Sequence, residues 1–295
     1  MISAIVRALR MRHWVKNFLI FIPTLAAHEA PSTSIAIKLI EAFVALSFVA
    51  STFYLINDIV DVESDRQHPV KRTRPIAAGE LSIGVARIFA AILLAFALLL
   101  GSAVGVDFLK WLFVYGITTF CYSMFIKRVV LMDCFVLAAL YSLRVVAGGS
   151  VTNIAPSFWL LATSGFLFLS LAFGKRFAEI AVSQSEGRDH LPGRDYRVSD
   201  APVILTIGVS SAFMAVLVLA LYVNSDVVTV LYKTPLAIWG AVPVLLLWVS
   251  SLWFRLWRGE VSDDPVLFAL RDRVSLICGA AMLLIVSVGA EGWLS

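Results

Sequence analysis

The chain has 295 residues, 60% of them hydrophobic and only 15% charged, with a mean hydropathy of +0.90 and a net charge of +4. A soluble domain carries about 45–50% apolar and about 25% charged residues. The surplus excludes a soluble core, and the same numbers exclude disordered, collagen-like and disulfide-scaffold chains. The expectation is an all-α, polytopic membrane bundle, a single domain over residues 1–295.

A hydrocarbon layer of about 30 Å takes about 20 apolar residues as helix. Windows of that size predict nine transmembrane helices, at 14–30, 35–56, 81–103, 108–126, 130–150, 156–175, 201–223, 234–256 and 271–293. The first is short and interrupted by Pro23. No small-residue cleavage site follows its basic start, so this segment is expected to be retained and not to act as a signal peptide. Strict apolar/polar alternation is absent, which argues against a barrel. Cys121, Cys134 and Cys278 lie in apolar stretches without metal-type spacing and read as small core residues.

The N-terminus and every second connection after it hold Arg7, Arg10, Arg12 and Lys16; Arg66, Lys71, Arg72 and Arg74; and Lys127 and Arg128. They continue with Lys175, Arg176, Arg188, Arg194 and Arg197, then Arg255, Arg258, Arg271 and Arg273, making 19 of the 24 basic residues. The positive-inside rule then puts the N-terminus and these loops in the cytoplasm, and the C-terminus outside an inner (cell) membrane. Membrane lipids are the expected surroundings, and no nucleic-acid partner is expected. A homo-oligomer is compatible with the sequence.

Two of these cytoplasmic connections, 57–80 and 176–200, are long and carry acidic groups as well, so they are expected to act as cap loops. Carboxylates contribute little to orientation and need another reason. Asn57, Asp61 and Asp65 fall at i, i+4 and i+8 on one helical face, with Asp58 bordering it. Like charges stacked this way repel. Hard oxygen donors without His or Cys suit Mg²⁺, which binds through one or two carboxylates plus phosphates. The alternative is a solvated acidic helix end balanced by neighbouring arginines.

Arg66, His68, Lys71, Arg72 and Arg74 follow, stiffened by Pro69 and Pro75. Cations beside a metal face suggest a phosphorylated ligand, with His68 a loop hydrogen-bonding residue. Lys175 and Glu179 form an i, i+4 pair next to Arg176, where a second anionic group can bind. The loop with Arg188, Arg194, Tyr196 and Arg197 is placed to cap the site. Tyr122, Lys127, Arg128 and Asp133 lie between these clusters. Arg144, halfway through a span, is expected to face a cavity or a partner, with Asp133 the candidate on its helical face.

The run Asn57-Asp58-Ile59-Val60-Asp61-Val62-Glu63-Ser64-Asp65-Arg66, the Lys71-to-Arg74 loop, and Tyr122-Ser123 followed by Lys127-Arg128 resemble the UbiA superfamily of intramembrane prenyltransferases across the whole chain. Where that family usually has a second aspartate-rich motif, this chain has Lys175-Arg176-Phe177-Ala178-Glu179. With Met11-Arg12, Trp14 to Asn17, and Arg144 before Ala147-Gly148, this looks like the phosphoribosyl-transferring branch. That branch implies transfer from 5-phosphoribosyl 1-diphosphate (PRPP) to polyprenyl (decaprenyl) phosphate. Pyrophosphate is released, and the product is a precursor of lipid-linked pentose for cell-envelope glycans.

The resemblance implies Mg²⁺ on Asn57, Asp61 and Asp65, diphosphate oxygens on Lys71, Arg72 and Arg74, and the 5-phosphate on Lys175 and Arg176. Catalytic work falls to Asp58, Asp61, Asp65 and Lys175. Lys16, Lys127 and Arg144 would steer the lipid phosphate, whose tail would lie in a groove open to lipid. Asn17, Arg66, His68, Tyr122, Asp133, Glu179, Arg188 and Tyr196 complete the substrate-binding set. The competing readings are prenyl transfer from a prenyl diphosphate to an aromatic acceptor, and an anion transporter.

Overall fold

The computed structural model describes residues 2–27, 31–67, 71–261 and 264–291. Regular structure among them is helical, and the only extended pairing is an isolated bridge between His190 and Arg197. The principal helices are α1 (Ile2–Leu9), α2 (Thr33–Val60), α3 (Ile83–Val104), α4 (Val106–Met124) and α5 (Met132–Thr152). They continue with α6 (Phe158–Ser185), α7 (Ala201–Val223), α8 (Ala241–Trp257) and α9 (Arg273–Glu291). Serine N-caps start three of them: Ser32, Ser82 and Ser157 accept from the backbone N–H groups of Ile35, Val85 and Leu160.

Among the described residues, seven helices are long and apolar enough to cross a membrane: Thr33–Val60, Ile83–Val104, Met132–Thr152, Phe158–Ser185, Val198–Val223, Pro235–Trp257 and Arg273–Glu291. Two expected spans differ. The window at 108–126 forms α4, which has the length but carries Asp107 and Lys110, paired at 2.8 Å, in its first turns. The window at 14–30 is not one α-helix. Met11–Phe21 is a 3₁₀ segment, followed by a five-residue helix, Ile22–Ala26, with Pro23 in its first turn. Proline lacks the N–H a continuing helix needs, and its ring crowds the preceding turn.

Two compact units are present, one of Met1–Ile126 with Leu143–Pro156, the other of Lys127–Ser142 with Ser157–Ser295. In the first, α2 presents a face of small buried residues, Ala42, Ala45, Ser47, Ala50 and Ser51, and α3 packs on α2 with Ala86, Ala90 and Ala97 buried. Small side chains let helix backbones approach closely where lipid supplies no hydrophobic drive between them. Ala8 of α1 joins the same cluster with Leu55, Val62 and Ile76.

In the second unit, α6 packs along α7, and Trp253 of α8 donates its indole N–H to Ser170 at 3.0 Å. Gly208 leaves room for that ring, since a Cβ there would come within 2.3 Å of it.

Asp272 caps α9. It accepts from the Ser275 N–H and hydroxyl at 2.8 and 2.9 Å and pairs with Arg255 at 2.7 Å. Desolvation works against the charge, yet these hydrogen bonds and the guanidinium hold the carboxyl below its ordinary 3.8. A depressed folded-state value stabilises above the unfolded pKa and is lost as pH falls through the folded one. Asp272→Ala is therefore expected to cost about 1–2 kcal/mol at neutral pH. Thermal melts should show the gap between variant and parent closing as pH falls below 3.8.

Candidate functional site

The carboxylate face of the first unit forms as the spacing predicts. The backbone N–H of Asp61 bonds the Asn57 carbonyl at 2.9 Å, and that of Asp65 bonds the Asp61 carbonyl at 2.8 Å. The i, i+4 ladder thus carries through the junction between α2 and the short helix Val62–Gln67, keeping Asn57, Asp61 and Asp65 on one side. Asp58 and Asp65 are each 2% exposed.

Arginines answer these charges. One guanidinium nitrogen of Arg74 reaches both Asp65, at 2.6 Å, and Asp58, at 3.1 Å, while Arg10 reaches the same Asp58 oxygen at 2.5 Å. Buried carboxylates must be paired to persist as anions. The arginine balance that sequence left as an alternative is therefore present at Asp58 and Asp65. Among the described residues, no three acidic, His or Cys side chains stand as one metal-binding group. The donor chemistry of Asn57, Asp61 and Asp65, oxygen throughout and on one face, nonetheless fits a hard divalent cation.

Arg66 fastens the following loop by donating to the Ala77 carbonyl at 3.4 Å and pairing with Glu63 at 2.9 Å. Lys71–Thr73 is one 3₁₀ turn, and Pro75, Ile76 and Ala77 are buried behind it. Lys71 and Arg74 are half-buried and Arg72 exposed. His68 lies outside the described residues.

Deeper in this unit, Arg144 is 7% exposed and donates to Asn17 at 2.8 Å and to the Tyr115 hydroxyl at 2.7 Å. Asn17 in turn donates to Ser47 at 2.9 Å. Lys16 and Tyr122 are half-buried.

The expected Asp133–Arg144 pairing is corrected. Eleven residues bring two positions into phase on a helix but separate them by about 16 Å of rise, beyond side-chain reach. Asp133 instead anchors a network in the second unit. It pairs with Arg176 at 2.6 Å and Arg194 at 3.4 Å, and accepts from the Tyr196 hydroxyl at 2.6 Å. Glu179 binds Arg176 and, at 3.2 Å, Arg194, which also donates to the Lys127 carbonyl at 3.0 Å. Burial, with the bond to Asp133, pushes the Tyr196 hydroxyl pKa well above its ordinary 10.

Arg176 is fully buried, whereas the neighbouring Lys175 is 31% exposed and stands 3.7 Å from Asp264. Arg188, on the loop, pairs with Glu186 at 3.0 Å.

Sequence reasoning gave no site role to Arg10, Tyr115, Ser47 or Asp264. Asp264 had a readable signal, Asp before Pro265 at a helix start, and it does cap the helix Pro265–Ala269. Arg10 had none, being one of three closely spaced arginines.

The fold has solved counterparts. A UbiA homolog from Archaeoglobus fulgidus, described as bound to GPP and Mg²⁺, superposes with a TM-score of 0.69 at 19% identity, covering 97% of this chain and 100% of that one. The model of the UbiA prenyltransferase family matches residues 18–288, across both units. The chain belongs to that family and is a multi-pass membrane transferase.

Its relatives differ in what their names say. It is 30% identical to the decaprenyl-phosphate phosphoribosyltransferase of Mycolicibacterium smegmatis over 93% of this chain and 88% of that protein. It is 33% identical to the nodulation protein NoeC of Azorhizobium caulinodans, with 92% and 88% covered. A Sinorhizobium fredii protein, y4nM, is 37% identical over 92% of this chain, which spans only 53% of its length.

Proposed function

We propose that this chain transfers the 5-phosphoribosyl group of PRPP to a polyprenyl phosphate, releasing pyrophosphate, with Mg²⁺ bound. The observation that carries this reading is at residues 175–179. Where the resemblance would place a second aspartate-rich motif the chain has Lys175 and Arg176, and Glu179 is already held by Arg176 and Arg194. A second acidic metal face is the feature a prenyl-diphosphate donor would call for. A cationic pair suits a donor with one more phosphate, and the mycobacterial relative's name points the same way.

In the first unit, Asn57, Asp61 and Asp65 would hold Mg²⁺, which supplies charge neutralisation for the departing diphosphate. Lys71, Arg72 and Arg74 would bind diphosphate oxygens by charge-assisted hydrogen bonds. Asp58 acts through the arginines it positions. Lys175, part-exposed, is the cation assigned to the 5-phosphate, and Arg176, buried beside it, is a support. The lipid phosphate is already anionic at neutral pH, so its attack on C1 needs no general base. Lys16, Lys127 and Arg144 are the cations assigned to it. The active site faces the cytoplasm, with the N-terminus on the same side.

The test is product formation. Purified protein with Mg²⁺, PRPP and a polyprenyl phosphate should yield a phosphoribosylated lipid by mass spectrometry. Product only from a prenyl diphosphate plus an aromatic acid would overturn the reading and leave the family standing. Lys175→Ala is expected to raise the KM for PRPP about tenfold, the loss of one charge-assisted contact, with a smaller change in kcat. An equal effect on a donor lacking the 5-phosphate would remove that role.

A further inference from the structure

Arg10 lies outside every motif, and the structure treats it unlike the basic residues around it. Its backbone is left-handed, at φ 51° and ψ 46°, a conformation an L side chain avoids without compensation. Three bonds hold the bend. Ser51 of α2, fully buried, donates to the Leu9 carbonyl at 2.9 Å and accepts the Trp14 indole N–H at 3.0 Å. Two turns further along α2, Asp58 accepts the Arg10 guanidinium at 2.5 Å, which also lies 5.0 Å from the centre of the Tyr54 ring. The residues on either side of the bend are clamped, and the side chain at its apex is delivered to the carboxylate face.

At that face Arg10 and Arg74 meet on one oxygen of Asp58. Each arginine side chain remains partly exposed, 21% and 24%, while that of Asp58 is at 2%. A guanidinium has five N–H donors in a rigid fork, so one carboxylate oxygen leaves most of them to other acceptors. Two such forks held side by side suit the oxygens of a diphosphate.

We propose that Arg10 is a diphosphate-binding residue, set beside Arg74 by Asp58, which serves as the positioning residue for both. This rests on the diphosphate-donor part of the reading above. Arg10, Arg74, Asp58 and Asp65 sum to zero charge, so the quartet alone offers an anion no net attraction. A divalent cation held by Asn57, Asp61 and Asp65 would supply the missing positive charge. Binding of a diphosphate should therefore require Mg²⁺, and Arg10 should add affinity on top of that requirement.

The experiment is calorimetric titration of inorganic pyrophosphate into the purified full chain in detergent, with and without Mg²⁺, alongside thermal melts. Glycine adopts the left-handed conformation freely, so Arg10→Gly removes the guanidinium and relieves the backbone. It should weaken Mg²⁺-dependent pyrophosphate binding about tenfold while the melting temperature holds. Arg10→Lys should recover part of the affinity. Arg10→Gly binding as tightly as the parent would overturn the proposal, as would lost affinity that tracks a lower melting temperature and is not restored by Arg10→Lys. A parent chain that binds no pyrophosphate with Mg²⁺ would instead defeat the diphosphate reading itself.

Discussion

Asp61→Ala is expected to lower phosphoribosyl transfer by about 10²–10³-fold, the usual scale for losing a group that stabilises transition-state charge, while folded protein is recovered in full. Asp61 is the middle member of the Asn57, Asp61, Asp65 face, at the junction where α2 passes into the next short helix. Its backbone N–H bonds to the Asn57 carbonyl, a bond the substitution leaves in place. Asp65 and Asp58 are poorer probes, because each is buried and paired with Arg74, so its loss also disturbs the arginine network. Initial rates over a range of Mg²⁺ concentrations give the measurement. An undiminished rate would remove Asp61 from the proposed metal set.

The largest loss of stability is expected at Asp133. This carboxylate is fully buried and answers Arg176, also fully buried, together with Arg194 and Tyr196. Removing one partner of a buried ion pair costs about 3–5 kcal/mol where nothing else answers the remaining charge; Glu179 still answers Arg176 here, so the lower end of that range is expected. Asp133→Ala should accordingly lower the thermal midpoint, followed by tryptophan fluorescence in detergent, more than Asp272→Ala does. The double change Asp133→Leu with Arg176→Met removes both charges and should recover most of the loss, because apolar replacements of buried pairs are often neutral. A double variant as unstable as the single one would mean that packing, and not charge, sets the cost.

The seven helices among the described residues that are long and apolar enough to cross a membrane were legible because an apolar run of about 20 residues has few alternatives in lipid. The 14–30 window misled for a reason hydropathy does not weigh: Pro23 and the 3₁₀ path of Met11–Phe21 alter the backbone without altering the polarity. The Asn57, Asp61, Asp65 face was legible because helical phase alone places it. Asp133 and Arg144 satisfied the same phase but not the rise along the axis, so sequence paired two residues that serve separate networks. Arg10 depends on a left-handed residue and a serine 41 positions later, a tertiary arrangement no local pattern records.

Gly148 of α5 lies so close to the 3₁₀ segment that a Cβ would stand 2.0 Å from the Ile20 carbonyl oxygen. The clearance between these two backbones is less than one methyl group. Asn17, one turn of that segment before Ile20, is therefore held in register with Arg144, one turn before Gly148 on the other strand of the contact. A buried polar pair is here aligned by an absent side chain: any residue larger than glycine at position 148 would have to push the segment carrying Asn17 away.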